Sequence, residues 1–284
     1  MIRLEHVGFR YNRSGPLVLD DINLVIDNGE HIGIIGPNGS GKTTLVQLMN
    51  ALLLPSEGRI IVDGLKTTDA GTAAEIRRRV GIVFQNPESQ IVGMTVEEDT
   101  AFGPGNLALP AQEIRRRVDD CLGAVGLSGF QERSTHKLSG GEKRLLSIAG
   151  ILAMQPRHII FDEPTAFLDP AGRERVLAVI DEINRQGVAI IHISHHMEDI
   201  LGADRIIVLK DGRIVRDGAP RQIFCDPFLL AGLQLDIPAA AALMQKLRAA
   251  GEPVRTDILT LDEAVAEIRS TVCGRRSEAQ PRVP

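Results

Sequence analysis

The chain has 284 residues, which at roughly 150 residues per domain predicts about two domains and a core that needs neither disulfides nor metal. Its 32 basic and 37 acidic residues leave a formal charge of −5, against the basic surface expected of a wholesale nucleic-acid binder. A hydrophobic content of 43% excludes a disordered chain, and 3% aromatics (eight Phe, one Tyr, no Trp) argue against a stacking platform for single strands.

Residues 2–11 alternate apolar and polar with a slip at His6, and 22–26 alternate again before the turn signal Asp27-Asn28-Gly29. Residues 31–35 are a short apolar run ending in glycine and read as a buried strand. Helices are expected over 42–52 and 72–79, the second opened by the capping-box pattern Thr72-x-x-Glu75. A strand is expected over 80–84, a short helix after Thr95-x-x-Glu98, and longer helices over 110–125 and 140–154. Strands over 158–161 and 188–194 flank a helix over 171–185, and 205–210 with 213–217 read as a hairpin around Asp211-Gly212.

Apolar strands alternating with helices imply a largely parallel sheet covered on both faces. From about 86 to 156 the pattern holds helices and loops without a strand, and reads as a helical insertion. After Phe224 it changes again. Pro227 and Pro238 punctuate, 239–250 and 261–269 read as two amphipathic helices, Thr260-x-x-Glu263 caps the second, and 274–284 reads as frayed. The expected organisation is an α/β domain over 1–225 and a small, mainly helical domain over 226–284. Cys121, Cys225 and Cys273 lie far apart with no CxxC, which fits a reducing compartment and gives no zinc site. The opening residues carry no apolar signal core, and no apolar run approaches the roughly 20 residues of a membrane span. Work at a membrane would therefore pass through a partner.

Gly36-Pro37-Asn38-Gly39-Ser40-Gly41-Lys42-Thr43 matches G-x-x-x-x-G-K-[ST] between an expected strand and an expected helix. Its glycines let backbone N–H groups curl around phosphate oxygens at a helix N-terminus. Lys42 would reach the β/γ-phosphates and Thr43 would coordinate Mg²⁺. No Asn-Lys-x-Asp motif exists, so GTPases drop out while kinase and ATPase stay open. The run His158-Ile159-Ile160-Phe161-Asp162-Glu163 ends an apolar strand in two acids. Asp162 would hold Mg²⁺ and Glu163 would orient and deprotonate a water.

Leu138-Ser139-Gly140-Gly141-Glu142 stands with its serine 23 residues before Asp162. Ser139-x-x-Glu142 is also a capping-box pattern, but two glycines after the cap weaken a helix unless the backbone must approach a ligand. These residues resemble the signature motif of ATP-binding cassette (ABC) ATPases. Other elements of that family follow in order. Tyr11 matches the adenine-stacking aromatic and Gln85 the Q-loop. Phe167-Leu168-Asp169-Pro170 matches the D-loop, and His195 the switch histidine. Glu142 replaces the usual Gln, Phe167 a small residue, and Lys143-Arg144-Leu145 departs from the common run.

The resemblance implies a P-loop NTPase core with a mostly parallel sheet and a helical subdomain. It implies two cassettes closing head to tail on two ATP molecules. Each ATP would be held by Tyr11 and the loop from Gly36 to Thr43, with Thr44, of one chain, and by Ser139, Gly140, Gly141 and Asp169 of the other. Thr43, Gln85 and Asp162 would serve Mg²⁺, Glu163 the water and His195 the γ-phosphate, with Lys42 and Gln85 part of the catalytic set.

A finer likeness covers 84–87 with 95–104, 148–156, 194–199 and, more loosely, 257–260. These segments resemble energy-coupling factor (ECF) transporter ATPases, which energise uptake of cobalt, nickel and vitamins. The implied partners are a second cassette chain, the same or paralogous, a transmembrane coupling subunit and a substrate-capture membrane protein, without nucleic acid. The implied place is the cytoplasmic face of the cell membrane. Glu97, Glu98 and Asp99 read either as the dipole-favoured first turn of a helix ended by Gly103-Pro104, or as acids docking a partner arginine. The triplets 77–79 and 115–117 read as solvated helix faces, His192 as structural, and His195-His196 as too divergent for a metal pair. The rival readings are a soluble ABC-type ATPase on the ribosome or nucleic acid, and a P-loop small-molecule kinase that leaves the signature and switch motifs unexplained.

Overall fold

Ten strands and a set of helices are laid out by the computed structural model, which describes residues 1–226, 230, 232, 233 and 237–278, with side chains to Thr271. The strands are β1 (Ile2–Phe9), β2 (Leu19–Ile26), β3 (His31–Ile35), β4 (Glu57–Val62), β5 (Leu65–Lys66), β6 (Val80–Val83), β7 (His158–Asp162), β8 (Ala189–Ile193), β9 (Arg205–Lys210) and β10 (Arg213–Gly218). They form a six-stranded sheet in the order β10-β9-β3-β8-β7-β6 and a separate four-stranded sheet in the order β2-β1-β4-β5. In the larger sheet every pairing is parallel except the β9–β10 hairpin. Every residue of β3, β6, β7 and β8 is buried, as expected for parallel strands covered on both faces.

The expectation of one largely parallel sheet is corrected in one respect. β1 and β2 pair antiparallel in the smaller sheet, together with β4 and β5, which the sequence reading missed. The alternating burial of β2 marks a sheet with one solvated face. The slip at His6 is a bulge: His6 has φ of +50°, and the β1–β2 register shifts between Leu4 and Val7. The bulge presses on Gly58 of β4, where a Cβ would lie 2.1 Å from the His6 carbonyl oxygen, so Gly58→Ala would break this pairing.

The helices are α1 (Lys42–Met49), α2 (Thr72–Arg79), α3 (Val96–Asn106), α4 (Ala111–Ala124), α5 (Gly140–Leu152), α6 (Pro170–Arg185), α7 (Pro220–Phe224), α8 (Ala239–Ala249) and α9 (Leu261–Glu278). Side chains of the large sheet alternate between the layers. Ile160, Ile191, Ile193, Ile207 and Leu209 join α1 and the antiparallel sheet in one cluster. Ile159, Phe161 and Ile190 join Val96, Val118, Leu122, Leu145 and Leu146 of the insertion, with Val176 and Ile180 of α6, in a second. Each such residue contributes about 1.5–3 kcal/mol by leaving water. Between 86 and 156, the extended pairing among the described residues is a single bridge, Thr95 to Ser134.

Three capping boxes form as read, at Thr95/Glu98, Ser139/Glu142 and Thr260/Glu263. The fourth does not. Gly71 takes the N-cap of α2, the Thr72 hydroxyl donates to the Lys66 and Asp69 carbonyls, and Glu75 pairs with Arg79 at 2.9 Å. Gly103-Pro104 does not end α3, which runs on to Asn106. Proline there removes only its own donor near the helix end, and the Leu107 N–H bonds to the Gly103 and Pro104 carbonyls.

Beyond α7 the chain packs back on the large sheet. Ile223, Phe224, Leu230, Leu233, Ala241 and Leu259 share a cluster with Ile35, Met197, Ile200, Ile206 and Val208. Ala240, Met244, Val254, Ile258 and Ala264 form a smaller cluster between α8 and α9. The stretch 274–284, read as frayed, is helical to Glu278, and 279–284 lie outside the described residues.

Candidate active site

β3 delivers the chain into the 36–41 loop, and α1 carries it away. Gly36 has φ of +154°, and a Cβ there would lie 2.0 Å from the Leu209 carbonyl oxygen, so only glycine fits. Gly41 caps α1 without a side-chain hydrogen bond, which leaves the first N–H groups of the helix to an anion. The buried Ser40 hydroxyl has no hydrogen-bond partner. Lys42 is buried, and its ammonium donates to the carbonyls of Gly36 at 2.7 Å and Pro37 at 3.0 Å. Burial holds its pKa below the ordinary lysine value, while Glu163 and Asp162 pull it back up. The loop is thus a cradle with an ammonium parked on its own carbonyls.

β7 and β8 end at the same cleft of about 610 Å³, which is lined by Tyr11, Gln85, His195 and residues 38–44 among others. Asp162, the last residue of β7, accepts from the Thr43 hydroxyl at 3.1 Å. Burial holds the Asp162 carboxyl above its ordinary range, against the Thr43 hydrogen bond and the Lys42 charge. Two hard oxygens so placed, with the Gln85 amide on the same cleft wall, are a donor set that fits Mg²⁺. Tyr11 is exposed, sits edge-on to Phe9 with ring centroids 4.9 Å apart, and hydrogen-bonds Thr44 at 2.9 Å through its hydroxyl.

Glu163 is buried at φ +53°, a conformation unusual outside glycine and often found at functional sites. Its Oε2 accepts from the His195 backbone N–H at 3.2 Å. Its Oε1 lies 3.3 Å from His195 Nε2 and has no hydrogen-bond partner. Burial lifts the Glu163 carboxyl to about 7, opposed first by the His195 amide hydrogen bond. Burial, then the Lys42 charge, holds His195 below its ordinary value.

The structure does not bring the signature residues to this cleft. The Ser139 hydroxyl accepts from the Glu142 N–H, and the Glu142 carboxylate accepts from the Ser139 N–H and from Arg133. Asp169 caps α6 by accepting from Gly172 at 2.9 Å. Gly140 lines a second groove with Gln85 and with Phe167, which is 96% exposed at φ +64°.

The three acids after the Q-loop part company. Asp99 is buried and accepts from Val92 at 2.7 Å and Gly93 at 3.0 Å, while Glu98 accepts from Met94 and Thr95. Their carboxylates are spent on folding the approach to α3. Among the described residues only Glu97 of the three keeps its carboxylate without a hydrogen bond.

Arg144 was passed over in the sequence as part of an unusual run. It is 1% exposed, and its guanidinium donates to the Phe84 and Gln85 carbonyls, tying α5 to the Q-loop. Burial pulls its pKa down to about 10. A charged residue directly before the apolar pair Leu145-Leu146 was the available signal.

Residues 19–166 match the family described as ABC transporter. The cobalt import ATP-binding protein CbiO of Syntrophus aciditrophicus is 53% identical over 268 residues, which is 94% of this chain and 96% of that protein. The energy-coupling factor transporter ATP-binding protein EcfA1 of Symbiobacterium thermophilum is 50% identical over 269 residues, 92% of this chain and 94% of that protein. Among solved structures, cbiO1 of Clostridium perfringens, described as part of the ABC transporter complex cbiONQ, superposes with a TM-score of 0.75. Its identity is 36%, over 86% of this chain and 98% of that one.

Proposed function

The chain belongs to the ABC transporter family of ATPases, and on that premise we propose that it powers an ECF-type importer of a metal ion such as cobalt or nickel, or of a vitamin. The observation that carries the reading is one cleft joining the Thr43–Asp162 pair to the Glu163–His195 pair, with the signature serine turned elsewhere. A second cassette, identical or paralogous, then supplies what this cleft lacks. Its Ser139, Gly140, Gly141 and Asp169 counterparts would close over an ATP seated on Tyr11 and the 36–44 loop. A head-to-tail pair of this kind closes as a two-fold dimer.

In this reading Lys42 leaves the Gly36 and Pro37 carbonyls for the β/γ-phosphates. Thr43, Asp162 and Gln85 would hold Mg²⁺, which supplies charge neutralisation at the transferring phosphoryl group. Glu163 takes the proton of the attacking water, and a carboxyl near 7 is matched to that task at cytoplasmic pH. His195 offers Nε2 to the γ-phosphate.

Among the described residues no helix is long and apolar enough to cross a membrane. We place the chain on the cytoplasmic face, held by a transmembrane coupling subunit and serving a substrate-capture protein. Docking of a partner arginine falls to Glu97. The segment 226–284 helps to hold two cassettes together between ATP cycles. Affinity purification of the tagged chain from detergent-solubilised membranes is the test. Small membrane proteins co-purifying, and ATP-dependent cobalt, nickel or vitamin uptake by the reconstituted assembly, support the reading. RNA in their place, with the chain absent from membranes, overturns it in favour of a ribosomal role.

A further inference from the structure

Asp199 is a buried carboxylate on which donors from three separate segments converge. The Thr165 hydroxyl donates at 2.5 Å, the Ser194 hydroxyl at 3.3 Å, and Arg173 reaches Oδ1 through Nε and Nη2, both at 2.6 Å. Its side chain is 0% exposed. Thr165 follows Glu163 by two residues, Ser194 directly precedes His195, and Arg173 stands on α6 one turn after its cap, Asp169. The Ser194 hydroxyl also accepts from the His196 N–H at 3.0 Å, and the Asp199 N–H donates to the His196 carbonyl at 3.1 Å. The loop from Ser194 to Asp199 is therefore closed on itself and fastened to the segment that follows Glu163.

We propose that Asp199 is a positioning residue for ATP hydrolysis, holding the His195 loop against the Glu163 segment. The inference rests on the roles proposed above for His195 and Glu163. Without the clamp, the 3.2 Å bond from the His195 N–H to Glu163 keeps its two ends but loses the frame that sets their separation. A misplacement of about 1 Å in such a constellation costs on the order of 10²-fold in rate. The charge matters as well as the shape. Four donor atoms meet two oxygens, and an amide would turn a donor toward donors on one side.

Asp199→Asn in the full chain is the test, read as steady-state ATPase, nucleotide affinity and melting temperature. The expected result is a kcat lowered about 10- to 100-fold with nucleotide Kd within about threefold of wild type. Thr165→Val, which removes one bond and no charge, should lower kcat by a smaller factor and decides the case if the Asn variant does not fold. A cycle with His195→Ala separates positioning from plain structure. If Asp199 or Thr165 acts through His195, the second substitution adds less than about twofold, whereas a general loss of structure multiplies. Wild-type turnover in both single variants, or multiplying losses, overturns the proposal. Full activity in His195→Ala alone would instead overturn the role given to His195.

Discussion

Glu163→Gln should slow turnover and stabilise the nucleotide-free protein, the second effect growing as pH rises above about 4.5 and complete above about 7. The carboxyl titrates near 7 in the fold against an ordinary 4.5, chiefly because burial disfavours its charge. An acid raised in this way binds more protons folded than unfolded between those two values. Stability therefore falls as pH rises from 4.5 to 7, and above 7 the full cost stands. The gap corresponds to about 3 kcal/mol at pH 8, about 1 kcal/mol at pH 5, and nothing below 4.5. Glutamine keeps the shape and carries none of this cost. For a chain of this size the gain at pH 8 is a rise of roughly 5 °C in melting temperature. Removing the base should lower kcat by about 10²- to 10⁴-fold with ATP still bound. Thermal melts without nucleotide at pH 5 and 8, paired with steady-state ATPase, measure both effects. An equal gain at both pH values, or none at pH 8, would refute the burial argument. Turnover within a few-fold of wild type would show that another group takes the proton.

Lys42→Ala should weaken nucleotide binding by at least about tenfold through loss of a charge-assisted phosphate contact, measured by equilibrium titration. Glu97→Lys should leave the melting temperature of the subunit unchanged and weaken assembly with the membrane partner, read by co-purification. Asp99→Ala should instead destabilise the subunit by about 1–3 kcal/mol, because the Val92 and Gly93 N–H groups lose their buried acceptor; equal assembly defects in stable Glu97 and Asp99 variants would count against the division of roles. Truncation after Cys225 should lower the melting temperature, because Met197, Ile200 and Phe224 lose the apolar cover of Leu230, Leu233, Ala241 and Leu259. Ultracentrifugation of the same truncation without nucleotide should show weaker self-association.

Parts of the molecule whose chemistry is local were legible in the sequence. The 36–43 loop, the acidic end of β7 and the continuous apolar strands each declare themselves within a few residues. Strand β4 did not, because Ile60-Ile61-Val62 follows Gly58 and Arg59 without a full period of alternation, and β5 is two residues long. The Thr72 box failed because Gly71, which pattern reading passed over, occupies the cap in a left-handed conformation. What stayed hidden around the site is non-local. Arg144 meets the Q-loop 59 and 60 residues away, and Asp199 gathers Thr165 and Arg173 from 34 and 26 residues upstream. Nothing in a window of ten residues marks either side chain as buried. The acids 97–99 show the converse, since one charge run divides into a capping group, a buried acceptor and a free carboxylate once the backbone turns beneath it.

The dry cluster shared by the insertion and the sheet has a mechanical consequence. Close-packed interiors are stiff, and a packed interface passes between discrete arrangements more readily than it bends. Val96 of α3 and Leu145 of α5 press into the same interior as Phe161 of β7. A push on the outer surface of α3 therefore travels through rigid side-chain contact, with no slack linker to absorb it. It arrives one residue from Asp162, at the floor of the cleft, so a force applied to the insertion would act directly on the strand that carries Asp162.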